Sequence, residues 1–146
     1  MSAALHEVDR ARPDLAVARV ERSWSARRGR AVEPLVRDAV SRLLLDTEWA
    51  HVTDVGSWWP RTNTPEIDLV GARGRPADEI AFAGTVKWRT TRPVDRGDVA
   101  ALTADARSVP GVDAATPLVA VCPAGAEKGL GLAATWDADD LLTAWP

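Results

Sequence analysis

Five polar residues stand in or beside apolar runs: Glu33, Glu66, Asp68, Thr85 and Lys87. Glu66 and Asp68 fall in PEIDLV, and Lys87 falls near the end of the next apolar run, EIAFAGTVKW. Side chains alternate along a strand. Glu66 and Asp68 therefore share one face, with Ile67 and Leu69 on the other. In the later run Ala83, Thr85 and Lys87 share a face, opposite Phe82, Gly84, Val86 and Trp88. If the two runs pair as a hairpin through GARGRPAD, Asp68 and Lys87 converge near one end of a sheet. Glu33 joins them if the helix that carries it packs there. Two or three carboxylates with one lysine suit metal-assisted phosphodiester hydrolysis. Carboxylate oxygens hold Mg²⁺ or Mn²⁺, which polarises the phosphate and supplies a hydroxide-like nucleophile. A lysine can orient or help deprotonate the water and offset charge in the transition state. Without a cation such closely placed carboxylates would repel one another.

Each residue also has a plainer role open to it. Glu66 can pair with a surface arginine, Lys87 can snorkel to the sheet edge, and Glu33 can complement a helix dipole. Thr85 is a good strand former and needs no function. Asp68 resists this treatment, because a lone carboxylate on an apolar strand is costly to bury. Trp58 and Trp59 point to opposite faces. One ring belongs to the core, which leaves the other for solvent or for base stacking. The arginines from Arg27 to Arg30 suit a solvated loop or phosphate contacts. His6 and His51 lack partners at metal-ligand spacing and read as structural or exposed.

The elements that must position these groups follow from periodicity. Leu15, Val17, Val20 and Trp24 suggest a helix over 14–24, and Gly29 then breaks the pattern. Val32, Leu35, Val36, Ala39, Val40, Leu43 and Leu44 recur at helical spacing. Pro34 suits only a first turn, so this helix is expected to start near Arg30. Glu33 lies at the margin of its apolar face, about 80° from the centre at 3.6 residues per turn. Three strands are expected in WAHVTDVGSWW, broken at Gly56, in EIDLVGA and in EIAFAGTVKW. A helix over 95–108 is closed by Pro110 and Gly111. PLVAVC reads as a strand buried on both faces, GLAATW as another, and Asp137 as the N-cap of a final helix through Trp145. A meander, a crossover helix and a parallel strand make a mixed sheet with helices on its faces.

Composition sets the bounds. The chain has 146 residues, 46% hydrophobic and 27% charged, which suits one globular domain. A net charge of −3 gives no overall pull toward nucleic acid. Basic residues are nonetheless grouped, with Arg22, Arg27, Arg28, Arg30 and Arg37 early and Lys87, Arg89, Arg92 and Arg96 later, so a local basic surface is open. A single cysteine, Cys122, excludes an internal disulfide and reads as a small buried apolar residue. No apolar run reaches membrane-spanning length and the first residues lack a signal-peptide core, so a cytoplasmic protein without membrane contact is expected.

Together, GRAVE, VGSWWPRTNTPEIDLV and FAGTVKWR resemble the PD-(D/E)XK nuclease superfamily. More narrowly, they resemble the uncharacterised C-terminal domain of archaeal and bacterial AAA-type ATPases. The likeness runs from about Trp24 to Ser108. It implies an α/β fold, a restriction-endonuclease-like mixed β-sheet flanked by helices, over residues 25–146, after a helical extension over 1–24. It implies Glu33, Asp68 and Lys87 as catalytic residues, with Glu66 as a substitute acid and Glu33 and Asp68 as ligands of a weakened Mg²⁺ site. Thr85 stands where the pattern has Asp or Glu. Losing that carboxylate would cost about a thousandfold in rate or more. Arg28, Arg30, Arg89 and Arg92 are the expected nucleic-acid contacts. The chain has no GxxxxGK[ST] run, so the resemblance implies an ATPase module in cis or in trans. The expected function is a catalytically impaired, nuclease-like domain that binds nucleic acid (DNA being the expected partner) or regulates the associated ATPase. Two alternatives stand beside it: an active Mg²⁺-dependent DNA endonuclease, and a protein-interaction or oligomerisation domain.

Overall fold

A computed structural model describes the backbone of residues 13–74 and 76–145, with side chains from Arg27 onward. His6 and the side chains of Leu15, Val17, Val20, Arg22 and Trp24 lie outside the described residues. Two compact units divide the chain, Met1–Val32 and Glu33–Pro146. The first is helical from Pro13. The second holds a five-stranded sheet and the remaining helices.

Helix α1 spans Pro13–Leu43, with Pro34 in its interior. This corrects the expectation of two helices separated at Gly29. Proline removes one intrahelical hydrogen bond and crowds the preceding turn, but it does not forbid a helix on its N-terminal side. Gly29 faces open space, so its cost is only the propensity difference, about 1 kcal/mol. Val36, Ala39, Val40 and Leu44 are all buried, which anchors the second half of the helix. A 3₁₀ turn, Leu44–Asp46, ends the element.

Strand β1 is Asp54–Trp58, β2 is Ile67–Arg73 and β3 is Glu79–Val86. Helix α2, Arg96–Ala106, leads to β4, Leu118–Val121; then come β5, Ala134–Trp136, and α3, Ala138–Leu142. The sheet order is β1-β2-β3-β4-β5. The first three strands are antiparallel, and β3, β4 and β5 are parallel. This is the expected α/β arrangement of meander, crossover helix and parallel strands, a restriction-endonuclease-like mixed sheet. Boundaries differ in detail. Gly56 lies inside β1, where a shift of register between Gly56 and Trp58 absorbs the irregularity. Glu66 precedes β2 and Lys87 follows β3. The final helix stops at Leu142 rather than reaching Trp145.

Both faces of the sheet are covered. On one, Leu102, Ala106 and Val109, from and just after α2, join Val70 and Ala83 in a buried cluster, with Trp58 packed against it. On the other, Trp49 packs its ring 5.2 Å from Phe82 and 6.5 Å from Trp136. Two glycines allow that second face to close. A Cβ on Gly71 would fall 2.3 Å from the Phe82 ring, and one on Gly84 2.5 Å from Val119.

Candidate functional site

The β2–β3 register fixes which polar groups meet. Leu69 pairs with Gly84 and Val70 with Ala83. Continuing the ladder by one residue sets Asp68 beside Thr85, on the face covered by α2. Asp68 Oδ2 accepts a hydrogen bond from the Thr85 hydroxyl at 3.0 Å and another from the Val86 N–H at 2.8 Å. Thr85 is only 7% exposed, so its hydroxyl needs an internal partner and finds one in the carboxylate. Both donors converge on the same carboxylate oxygen.

Lys87 lies one residue beyond β3, half-buried, and its N–H extends the ladder to Val121 O at 2.8 Å. Its charge acts on Asp98 of α2. That residue was not among the sequence-derived candidates, and it organises the basic segment that follows β3. Arg89 Nη2 donates to Asp98 Oδ2 and, at 3.3 Å, to Pro93 O; Arg92 Nη2 stands 3.9 Å from Asp98 Oδ1. Asp98 also accepts from the Asp95 N–H at 3.1 Å, while Asp95 accepts from the Asp98 N–H at 3.0 Å. This reciprocal capping box starts α2. Burial works to raise the Asp98 carboxyl. The hydrogen bonds from Arg89 and Asp95, with the charges of Arg89 and Lys87, outweigh it and hold the carboxyl below its ordinary value. The Arg89 guanidinium is raised in turn, chiefly by its hydrogen bond to Asp98 and against its own burial. The Cys122 thiol donates to the carbonyls of Arg89 and Arg92 at 3.6 Å each, which ties the segment to the end of β4.

The expected site residues thus separate into groups. Asp68 and Thr85 are in direct contact, and Lys87 follows one residue after β3. Glu66 is exposed. Glu33 forms an i,i+4 pair with Arg37 at 3.7 Å. Of the expected nucleic-acid contacts, Arg28 and Arg30 are exposed on α1, and Arg92 is 63% exposed at its side chain. Arg89 is instead engaged internally and 23% exposed. The signal that marks Asp98 in the sequence is the Asp95-x-x-Asp98 spacing, a capping-box pattern placed just after Lys87, Arg89 and Arg92.

The donors around Asp68 do not fit a magnesium ion of the kind the resemblance implies. Such an ion takes several oxygens, anionic ones foremost. Here the group facing Asp68 is a neutral hydroxyl whose proton is directed at the carboxylate. Among the described residues no three His, Cys, Asp or Glu side chains come together as a metal-binding group. No helix among them is long and apolar enough to cross a membrane.

Comparison with known proteins gives one family. The model of the DUF234 family, described as archaea bacterial proteins of unknown function, matches residues 1–99. No curated protein and no solved structure matches the chain.

Proposed function

For this chain, which belongs to that family of archaeal and bacterial proteins of unknown function, we propose a nuclease-like domain that binds nucleic acid or regulates a partner while being catalytically impaired. One observation carries the reading: the hydroxyl of Thr85 and the N–H of Val86 both bond Asp68 Oδ2. A position that would hold a second metal-binding carboxylate in the PD-(D/E)XK pattern here holds a donor that satisfies the first one. Asp68 Oδ2 thus has its hydrogen-bond partners within the fold. Asp68 and Lys87, at one end of the β2–β3 hairpin, support the reading. Exposed Arg92 supplies a cation for phosphate contacts, and Arg89 braces the segment through Asp98; Arg28 and Arg30 are exposed cations of the first unit. The resemblance to the C-terminal domain of AAA-type ATPases supports a role beside an ATPase module, in cis or in trans.

The test combines binding and cleavage on the same protein. Labelled DNA is titrated at low and moderate salt, and plasmid and single-stranded DNA are incubated with Mg²⁺ or Mn²⁺. The expected result is salt-sensitive binding without cleavage. Metal-dependent cleavage abolished by Asp68→Ala would replace the reading with an active endonuclease. Absence of binding at low salt would leave a protein-interaction domain.

A further inference from the structure

We infer that Trp59 and Arg61 form a stacking and phosphate-contacting platform that makes single-stranded nucleic acid the preferred ligand, an inference that rests on the nucleic-acid reading above. The two adjacent tryptophans part company in the fold. Trp58 packs against the core beneath α2, whereas Trp59 is 55% exposed. Trp145, the other exposed tryptophan among the described residues, is 39% exposed and has the Arg42 guanidinium 5.6 Å from its ring centroid. No aromatic or cationic partner covers Trp59 among the described residues.

The ring is held out by an ordered loop. The Asn63 N–H donates to Pro60 O at 2.8 Å, and the Thr62 hydroxyl donates to Thr64 O at 3.1 Å. Asn63 takes a left-handed φ of 58°, a conformation asparagine tolerates better than most residues. Pro60 and Pro65 restrict the backbone on either side. A loop fixed in this way loses little conformational freedom when a ligand settles on its ring.

Sheet topology places this loop. Trp58 pairs with Ile67 and β2 runs antiparallel to β3, so the loop lies at the sheet end where Asp68, Thr85 and Lys87 sit. Charge then separates a nucleic acid from a protein partner. Arg61, exposed, is the sole ionisable residue from Trp59 to Pro65. Exposed Arg92 leaves the same end of β3. Among nearby carboxylates, Asp68 and Asp98 are engaged internally, which leaves exposed Glu66. An open aromatic face followed by an exposed arginine, with the exposed Arg92 at the same sheet end, matches a base beside its phosphate. Bases within a duplex are already stacked, so only an unpaired strand offers a free face to the indole.

The experiment is fluorescence anisotropy with labelled oligothymidylate, oligouridylate and a duplex of equal length, on the whole chain at low salt. The single strands are expected to bind more tightly than the duplex, and their comparison tells DNA from RNA. Trp59→Ala is expected to weaken single-strand binding about tenfold or more, and Trp59→Phe to retain most of it. Arg61→Ala is expected to reduce the slope of log affinity against log salt by about 0.7, one phosphate contact. Unchanged melting temperatures verify that these exposed substitutions fold. Duplex binding equal to or tighter than single-strand binding would overturn the inference, as would no effect of Trp59→Ala on a bound oligomer. Either result leaves the nucleic-acid reading standing. Loss of self-association in Trp59→Ala, seen by sedimentation with oligomer affinity unchanged, would make the ring a protein contact and overturn it too. No binding of any nucleic acid would remove both readings together.

Discussion

Replacing Asp98 with alanine tests the electrostatic arrangement beside the site. The substitution deletes the acceptor for Arg89 Nη2 and for the Asp95 N–H, and it removes the carboxylate that stands beside Arg92. The side chains of Asp98 and Arg89 are 11% and 23% exposed, so the guanidinium cannot simply turn to bulk water. Arg89 Nε is already buried without a hydrogen-bond partner. Leaving one member of a buried pair uncompensated costs about 3–5 kcal/mol; partial exposure places this case near the lower end. The lost capping bond adds about 1 kcal/mol. A destabilisation of about 3–4 kcal/mol lowers the melting temperature of a chain this size by about 10 °C. Urea denaturation of Asp98→Ala, Arg89→Met and the double variant measures the coupling. The double variant should be more stable than the sum of the single effects implies, by about 1.5–3 kcal/mol. The pH dependence has a definite sign. Because the folded carboxyl lies below its ordinary value of 3.8, its stabilisation is complete above that value and is lost as pH falls through the lower folded value. The stability gap between wild type and Asp98→Ala should therefore stay level from neutral pH down to that region and narrow in stronger acid. Additive single effects, or a gap that stays constant through strong acid, would refute the reasoning.

Three further outcomes follow from the same contacts. Thr85→Val keeps the shape of the side chain but removes the donor to Asp68, and should cost about 1.5–3 kcal/mol in urea denaturation. Thr85→Glu sets a second carboxylate against Asp68. It should lower the melting temperature in metal-free buffer and recover part of the loss on adding Mn²⁺ or Mg²⁺; a metal-independent melting temperature would count against a shared site. Gly84→Ala places a Cβ 2.5 Å from Val119 Cγ2 and 2.8 Å from its carbonyl oxygen. It should destabilise the β3–β4 pairing by about 1–3 kcal/mol or more in thermal melts.

The Asp68–Thr85 contact and the Asp98 cluster make different demands on the fold. The first needs only a hairpin in register, because both residues lie on neighbouring strands. The second needs the crossover, since Asp98 lies on the helix that follows the basic segment and returns across the sheet. A four-residue run, Leu118–Val121, lines β4 along β3 from Ala83 to Val86 and sets where that segment leaves the sheet. The tertiary packing thus directs Arg89 inward and leaves Arg92 at the surface, although both belong to one basic run.

Local chemistry was enough to determine much of this protein. Alternation within each run assigned Asp68 to one face of β2 and Thr85 to one face of β3, and the hairpin brings those two faces together; Ile67, expected opposite, instead joins Val70 and Ala83 in the cluster beneath α2. The run of small and branched residues in PLVAVC marked a strand buried on both faces, and Val119, Ala120 and Val121 are all buried. Asp137 marked a helix start, and its side chain accepts from the Asp140 N–H at 3.0 Å. These features are legible because each depends on residues close in the chain. The joining of two expected helices into one was not legible, because local cost at Gly29 and Pro34 does not include what burial elsewhere along the helix supplies. The role of Thr85 was not legible either. As a residue type it signals a missing carboxylate or an ordinary strand position, and only register and burial turn its hydroxyl toward Asp68. Asp98 was hidden for the same reason: its spacing identifies a helix cap, whereas its hold on Arg89 and its pull on Lys87 exist only once α2 packs back beside β3.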